Sequence, residues 1–298
     1  MKQKWFIYIA LGTDVAIAAI KFIVTGITHS SAMLSEGIHS VIDALSQVLL
    51  LWGVYISQKE ADEKRPFGYG KEQYFWSFIV SLLIFTMGGC ISFYEGILKL
   101  KTPDAADGVM WSYIVLGIAF IFTAVSAAAS LKAFNKRRKT ESFWQAVKIS
   151  KDPATFIILL GDLGDLAGLI IAFAGIYLGH KFGKPYYDAI ASMLIGIVLI
   201  VISVLLVKES RSLLMGETIG KKTMKQIIAL AEADASVIKI KKQASMYMAP
   251  EEILLQLNTV FKQGLTTEQI TDAITGISNT IQKQFPLIKQ IFIEPVKS

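Results

Sequence analysis

Six apolar stretches of about twenty residues dominate this 298-residue chain. A stretch of that length reads as a helix crossing a bilayer, because a hydrocarbon core about 30 Å thick needs about twenty residues at about 1.5 Å rise each. The runs lie at roughly 5–27, 32–56, 74–98, 110–134, 153–178 and 187–207. Charged residues are only 18% of the chain and hydrophobic ones 53%, whereas an ordinary soluble domain is about a quarter charged. The expected fold is a six-helix transmembrane bundle over residues 1–207, with the lipid bilayer as its first partner. The first run is too long for a signal-peptide core and lacks a small-residue cleavage site, so it reads as a span. A single cysteine, Cys90, excludes a disulfide framework and a cysteine-based metal cluster. The net charge of +6 makes no case for nucleic acid, since membrane proteins gather basic residues in cytoplasmic loops.

Those basic residues set the orientation. Lys2 and Lys4 precede the first run. Lys59, Lys64, Arg65 and Lys71 lie between the second and third. Lys136, Arg137, Arg138, Lys139, Lys148 and Lys151 lie between the fourth and fifth. The alternate loops hold only Lys99, Lys101, Lys181 and Lys184. The positive-inside rule then puts both termini in the cytoplasm.

After Val207 the chain turns polar. Residues 208–298 read as a small α+β domain: a helix over 221–233, strands over 237–248 and 253–261, a helix from Thr266 or Thr267 to about Gln284, and a strand over 288–294. The order αββαβ suits a ferredoxin-like domain, which at this size gains from a second subunit.

Two apolar runs carry charge. In the second, Glu36, His39 and Asp43 sit at i, i+3 and i+7, on one helix face, and Gln47 extends that face. In the fifth, Asp162 and Asp165 sit at i and i+3. Ionisable groups inside a membrane are expensive and mark function by default, although a lone aspartate can serve as a helix–helix hydrogen-bond partner. Gln47 and Asp188 fit that structural role. His39, Asp43 and Asp162 fit a metal site, and Asp165 and Glu36 fit a ligand, a proton carrier or an outer hydrogen-bonding group. One imidazole with carboxylates suits a first-row divalent cation, four-coordinate zinc best, with manganese, iron and cobalt compatible. Such a cation is cargo; no permanently bound cofactor is implied.

These residues resemble the cation diffusion facilitators, a family that includes zinc transporters of animal cells and bacterial metal–proton antiporters. The likeness rests on His39 and Asp43 at HxxxD spacing and on Arg65-Pro66-Phe67-Gly68-Tyr69-Gly70-Lys71-Glu72, similar to the family's HPFGYG signature. Lys71-to-Trp76, Tyr94-Glu95-Gly96, Asp152-Pro153 and Tyr187-to-Ser192 look most like the branch of zinc transporter nine and its bacterial relatives. The resemblance implies a tetrahedral site built from two residues of span two and two of span five. His39, Asp43 and Asp162 fall on three of the positions. Ile158 falls on the fourth and cannot bind metal, and Gly161 stands where the branch has Glu. The fourth ligand then falls to Asp165, Glu36 or water. Arg65 replaces the leading histidine, so a loop metal site is not expected. Residues 208–298 have neither His nor Cys, which implies a homodimer without a metal-sensing site in the tail. Lys71 matches a position that pairs with an acid at the start of the tail, here Glu217.

The resemblance implies export by alternating access against protons, in a bacterial plasma membrane. The ligands must lose protons to bind metal, so His39 and Asp43 would carry metal one way and protons the other. Two other classes stay open. A metal-gated channel would want a continuous polar lining. An intramembrane metal-dependent hydrolase would want a base signature such as HExxH, which is absent. The chain is not expected to be an enzyme.

Overall fold

The computed structural model describes residues 2–101, 109–137 and 151–297. The basic residues Arg138, Lys139 and Lys148 lie outside the described residues. Helix α1 is Lys2–Thr28, α2 Ser31–Ser57, α3 Glu72–Leu83 and α4 Ile91–Lys101. Helix α5 is Val109–Arg137, α6 Pro153–Phe182, α7 Tyr186–Met215, α8 Lys221–Glu232 and α9 Thr267–Gln284. The strands are β1 Val237–Ala249, β2 Glu252–Phe261 and β3 Ile288–Pro295.

Among the described residues, five helical stretches are long and apolar enough to cross a membrane: Ser31–Ser57, Glu72–Lys101, Val109–Lys132, Thr155–Phe182 and Tyr186–Met215. Within α1, Val15–Thr28 is a shorter apolar helical stretch. The second of the five, Glu72–Lys101, is α3 and α4 joined without a break by a π-helical turn, Ile84–Cys90. Helix α7 runs on to Met215, eight residues beyond the apolar run that ends at Val207.

The chain divides into two compact units. One holds Met1–Tyr55 and Phe75–Arg211; the other holds Ile56–Tyr74 and Ser212–Ser298. In the first unit the apolar side chains form two clusters. Met33, Leu169, Ala172 and Ile195 belong to one, and Ile42, Leu50, Leu160 and Leu206 to the other. Along α6, Asp162 and Asp165 fall between the two clusters, and along α2 Glu36 and His39 fall between Met33 and Ile42. The α1–α2 turn is held from α7. Ser30 Oγ accepts from Met33 N at 3.1 Å, which caps α2. Asp188 accepts from Ser30 Oγ at 2.6 Å, Ser31 N at 2.7 Å and Ser31 Oγ at 3.0 Å. Helices α4 and α7 approach through glycines: a Cβ on Gly196 would lie 2.6 Å from Phe93 N and 2.8 Å from Gly89 O.

The second unit has the order αββαβ, with a sheet β1-β2-β3 in which β1–β2 is antiparallel and β2–β3 parallel. Ile253, Leu255 and Leu257 alternate into its core on β2. Ile227 of α8 and Ile277 and Ile281 of α9 cover them. Thr266 is the N-cap of α9, and with Gln269 it forms a capping box. Segment 56–74 packs into this same unit. Phe67 meets Phe292 of β3 edge-on, with ring centroids 6.4 Å apart. A Cβ on Gly70 would lie 2.6 Å from Met248 O.

Candidate metal site

His39 and Asp43 stand one turn apart on α2, and Asp165 faces them from α6. His39 Nε2 contacts Asp165 Oδ1 and lies 3.6 Å from Asp43 Oδ2. One ligand atom from each of the three lies within 4.8 Å of the others. Tetrahedral zinc with bonds of about 2.0–2.1 Å wants donors about 3.3 Å apart, so small rotamer shifts close this set around an ion. His39 is 2% exposed, and its Nδ1 has no hydrogen-bond partner among the described residues. The two aspartates are 21% and 18% exposed. The arrangement can desolvate a divalent cation and balance it with two carboxylates.

Asp162 is not in this group. Its carboxylate accepts from Ser126 Oγ at 3.2 Å and Ser130 Oγ at 2.7 Å, both on α5. Three residues turn a helix by 300°, leaving the two aspartates about 60° apart around α6. Asp162 thus faces α5 while Asp165 faces α2. Of the two aspartates on α6, Asp165 stands beside His39 and Asp43, and Ile158 is 45% exposed.

Glu36 is also engaged elsewhere. Lys21 Nζ donates to Glu36 Oε2 at 3.0 Å, in a pair whose side chains are 5% and 0% exposed. Sequence reasoning passed over Lys21. The signal was available: a lysine within an apolar run needs a buried counter-charge, and Glu36 is the nearest carboxylate one span away. Asp188 has the structural role expected of it, tying α2 to α7.

The signature loop is occupied with itself. Asp62 accepts from Lys64 N at 3.0 Å, Arg65 N at 2.7 Å and Tyr69 Oη at 2.6 Å. Those bonds, the Tyr69 one foremost, hold the Asp62 carboxyl below its ordinary range, and the same bond raises the Tyr69 phenol. Arg65 pairs with Glu72 and stacks on Tyr69, 4.5 Å from its ring centroid. Lys71 Nζ donates to Met246 Sδ at 3.4 Å, and Glu217 Oε2 accepts from Ser212 Oγ at 3.2 Å.

The family model described as the cation efflux transmembrane domain matches residues 7–215. The chain belongs to the cation efflux family. A relative named "Proton-coupled zinc antiporter SLC30A9, mitochondrial" from Xenopus laevis is 29% identical over 80% of this chain and 43% of its own length. Its namesake from Homo sapiens is 32% identical over 73% of this chain and 39% of its own length. The chain thus spans about two-fifths of these relatives. "Manganese efflux system protein MneP" from Bacillus subtilis is 24% identical over 96% of this chain and 93% of its own length. These relatives are named for transport, not for an enzymatic reaction.

Proposed function

We propose that the chain exports a divalent first-row metal cation across a membrane in exchange for protons, with zinc as the favoured cargo. The observation that carries this reading is the meeting of His39, Asp43 and Asp165 between α2 and α6. An imidazole and two carboxylates offer zinc three of four ligands and leave the fourth to water. The same groups bind protons when the cation is gone, so metal and protons compete for one site. His39 and Asp43 carry that exchange. The names of the zinc antiporter relatives support both the cargo and the counter-ion.

A second reading has its own observation. Two of the three donors are oxygens, and a relative that the chain spans almost end to end is named for manganese. Manganese, with iron and cobalt behind it, accepts such a donor set with added waters.

The architecture proposed with this function has six spans over residues 1–207 and a ferredoxin-like domain over 208–298. Both termini lie in the cytoplasm of a bacterial plasma membrane, and the tail joins two copies in a homodimer. The αββαβ order of the second unit supports its part of this reading.

The test is metal uptake into proteoliposomes across an imposed pH gradient. Wild-type protein takes up zinc in proportion to the gradient, and His39→Ala and Asp165→Ala do not. Uptake that ignores the gradient indicates a channel, and no uptake of zinc, manganese, iron or cobalt ends the transport reading.

A further inference from the structure

Lys21 is 4% exposed, on a membrane helix, and its ammonium is saturated. It donates to Glu36 Oε2 at 3.0 Å, Ser40 Oγ at 2.8 Å and Glu36 O at 3.4 Å, three acceptors for three protons. Glu36 lies one turn from His39 on α2. Its Oε1 packs on Gly168, one turn from Asp165 on α6, so close that a Cβ there would sit 2.5 Å from it. The pair therefore occupies the same α2–α6 seam as the candidate ligands. Glu36 Oε1 is buried with no hydrogen-bond donor among the described residues. A carboxylate with a spare ligating oxygen thus stands about 4.5 Å along the helix axis from His39. Three rotatable bonds are enough to cover that distance.

We propose that Lys21 withholds Glu36 from the cation and so sets both the strength and the selectivity of the site. The inference rests on the metal-transport reading above. With Lys21 in place, Glu36 is neutralised locally, and Asp43 and Asp165 alone match the two charges of the cargo. Without it, a third carboxylate turns toward the ion. That adds an oxygen ligand, tightens binding and leaves a net negative charge in an apolar layer. A carrier must release what it binds, so the tighter site turns over more slowly. An added oxygen also favours manganese, which takes more oxygen ligands than tetrahedral zinc.

The test uses full-length protein, with zinc and manganese binding measured in detergent and uptake KM and Vmax in proteoliposomes. Lys21→Met should tighten binding by about 10-fold or more, the scale of one added group at a metal site, with manganese gaining more than zinc. Its Vmax should fall. Lys21→Met with Glu36→Gln leaves no unpaired charge, and it should return affinity and Vmax to within about 3-fold of wild type. A purely structural pair would also be rescued by the double variant, but it would not tighten metal binding in Lys21→Met. The inference is overturned if Lys21→Met binds metal no more tightly than wild type, or if the double variant folds but transports poorly. Should Lys21→Met fail to fold, the double variant decides alone, a near wild-type Vmax supporting the inference and a lost one overturning it. Failure of the transport reading is distinct, since wild-type protein would then bind and carry neither metal.

Discussion

His39 of α2 touches Asp165 of α6, while Asp162, one turn earlier on the same helix, is held by Ser130 of α5. The two aspartates should therefore separate in function. Asp165→Asn removes a candidate ligand and should lower zinc affinity by more than the about 10–100-fold typical of an outer hydrogen-bonding group. Asp162→Asn keeps an acceptor for Ser126 and Ser130 and should change affinity by less than about 10-fold. Zinc titration of the two purified variants ranks them. Equal losses, or the larger loss in Asp162→Asn, would contradict the placement.

Close approach of α4 and α7 depends on a missing side chain. A Cβ at Gly196 meets backbone atoms, Phe93 N and Gly89 O, and backbone cannot swing aside as a side-chain tip can. Gly196→Ala should cost about 1–3 kcal/mol, the usual price of forced overpacking. Gly117→Ala, where nothing lies within 4 Å, should be neutral or slightly stabilising through helix propensity. Thermal unfolding in detergent distinguishes them, and equal midpoints would refute the contact.

Much of this fold was legible because its signals are local. Apolar length marks the long helices, and alternation marks Ile253, Leu255 and Leu257 on β2. Thr266 with Gln269 marks the start of α9. The candidate site was legible as far as His39 and Asp43, which share one helix face whatever surrounds them. The choice between Asp162 and Asp165 was not. It depends on the rotation of α6 about its axis, which is set by how Leu160 and Leu169 pack into different clusters. Lys21 went unread because its meaning lies in Glu36, fifteen residues away on another helix. The π-helical turn Ile84–Cys90 carries no sequence pattern of its own.

Asp188 joins α7 to the start of α2, the helix that carries His39 and Asp43. Its three acceptor bonds are buried, so Asp188→Ala removes the acceptor of Ser31 N and of the Ser30 and Ser31 hydroxyls, while Ser30 Oγ still accepts from Met33 N. The expected loss is about 1–3 kcal/mol. Because Asp188 contacts no candidate ligand, the folded fraction should keep the wild-type preference among metals. A changed order of zinc, manganese and cobalt binding, with stability intact, would show a direct role.

The Asp62–Tyr69 hydrogen bond gives the signature loop a pH window. The Asp62 carboxyl is depressed, so its contribution is complete above the unfolded value of about 3.9 and is lost as pH falls through the lower folded value. The Tyr69 phenol is raised, so its contribution is complete below about 10 and is lost as pH rises through the higher folded value. Between those limits the bond is intact and pH has no leverage on it. Tyr69→Phe removes the Tyr69 Oη donor and leaves Asp62 only the amides of Lys64 and Arg65. The Asp62 carboxyl should then titrate at a higher pH, though still below its ordinary range. Carboxyl-carbon NMR of selectively labelled protein reads that shift directly. An unchanged Asp62 titration in Tyr69→Phe would mean that the phenol does not hold the carboxylate in solution.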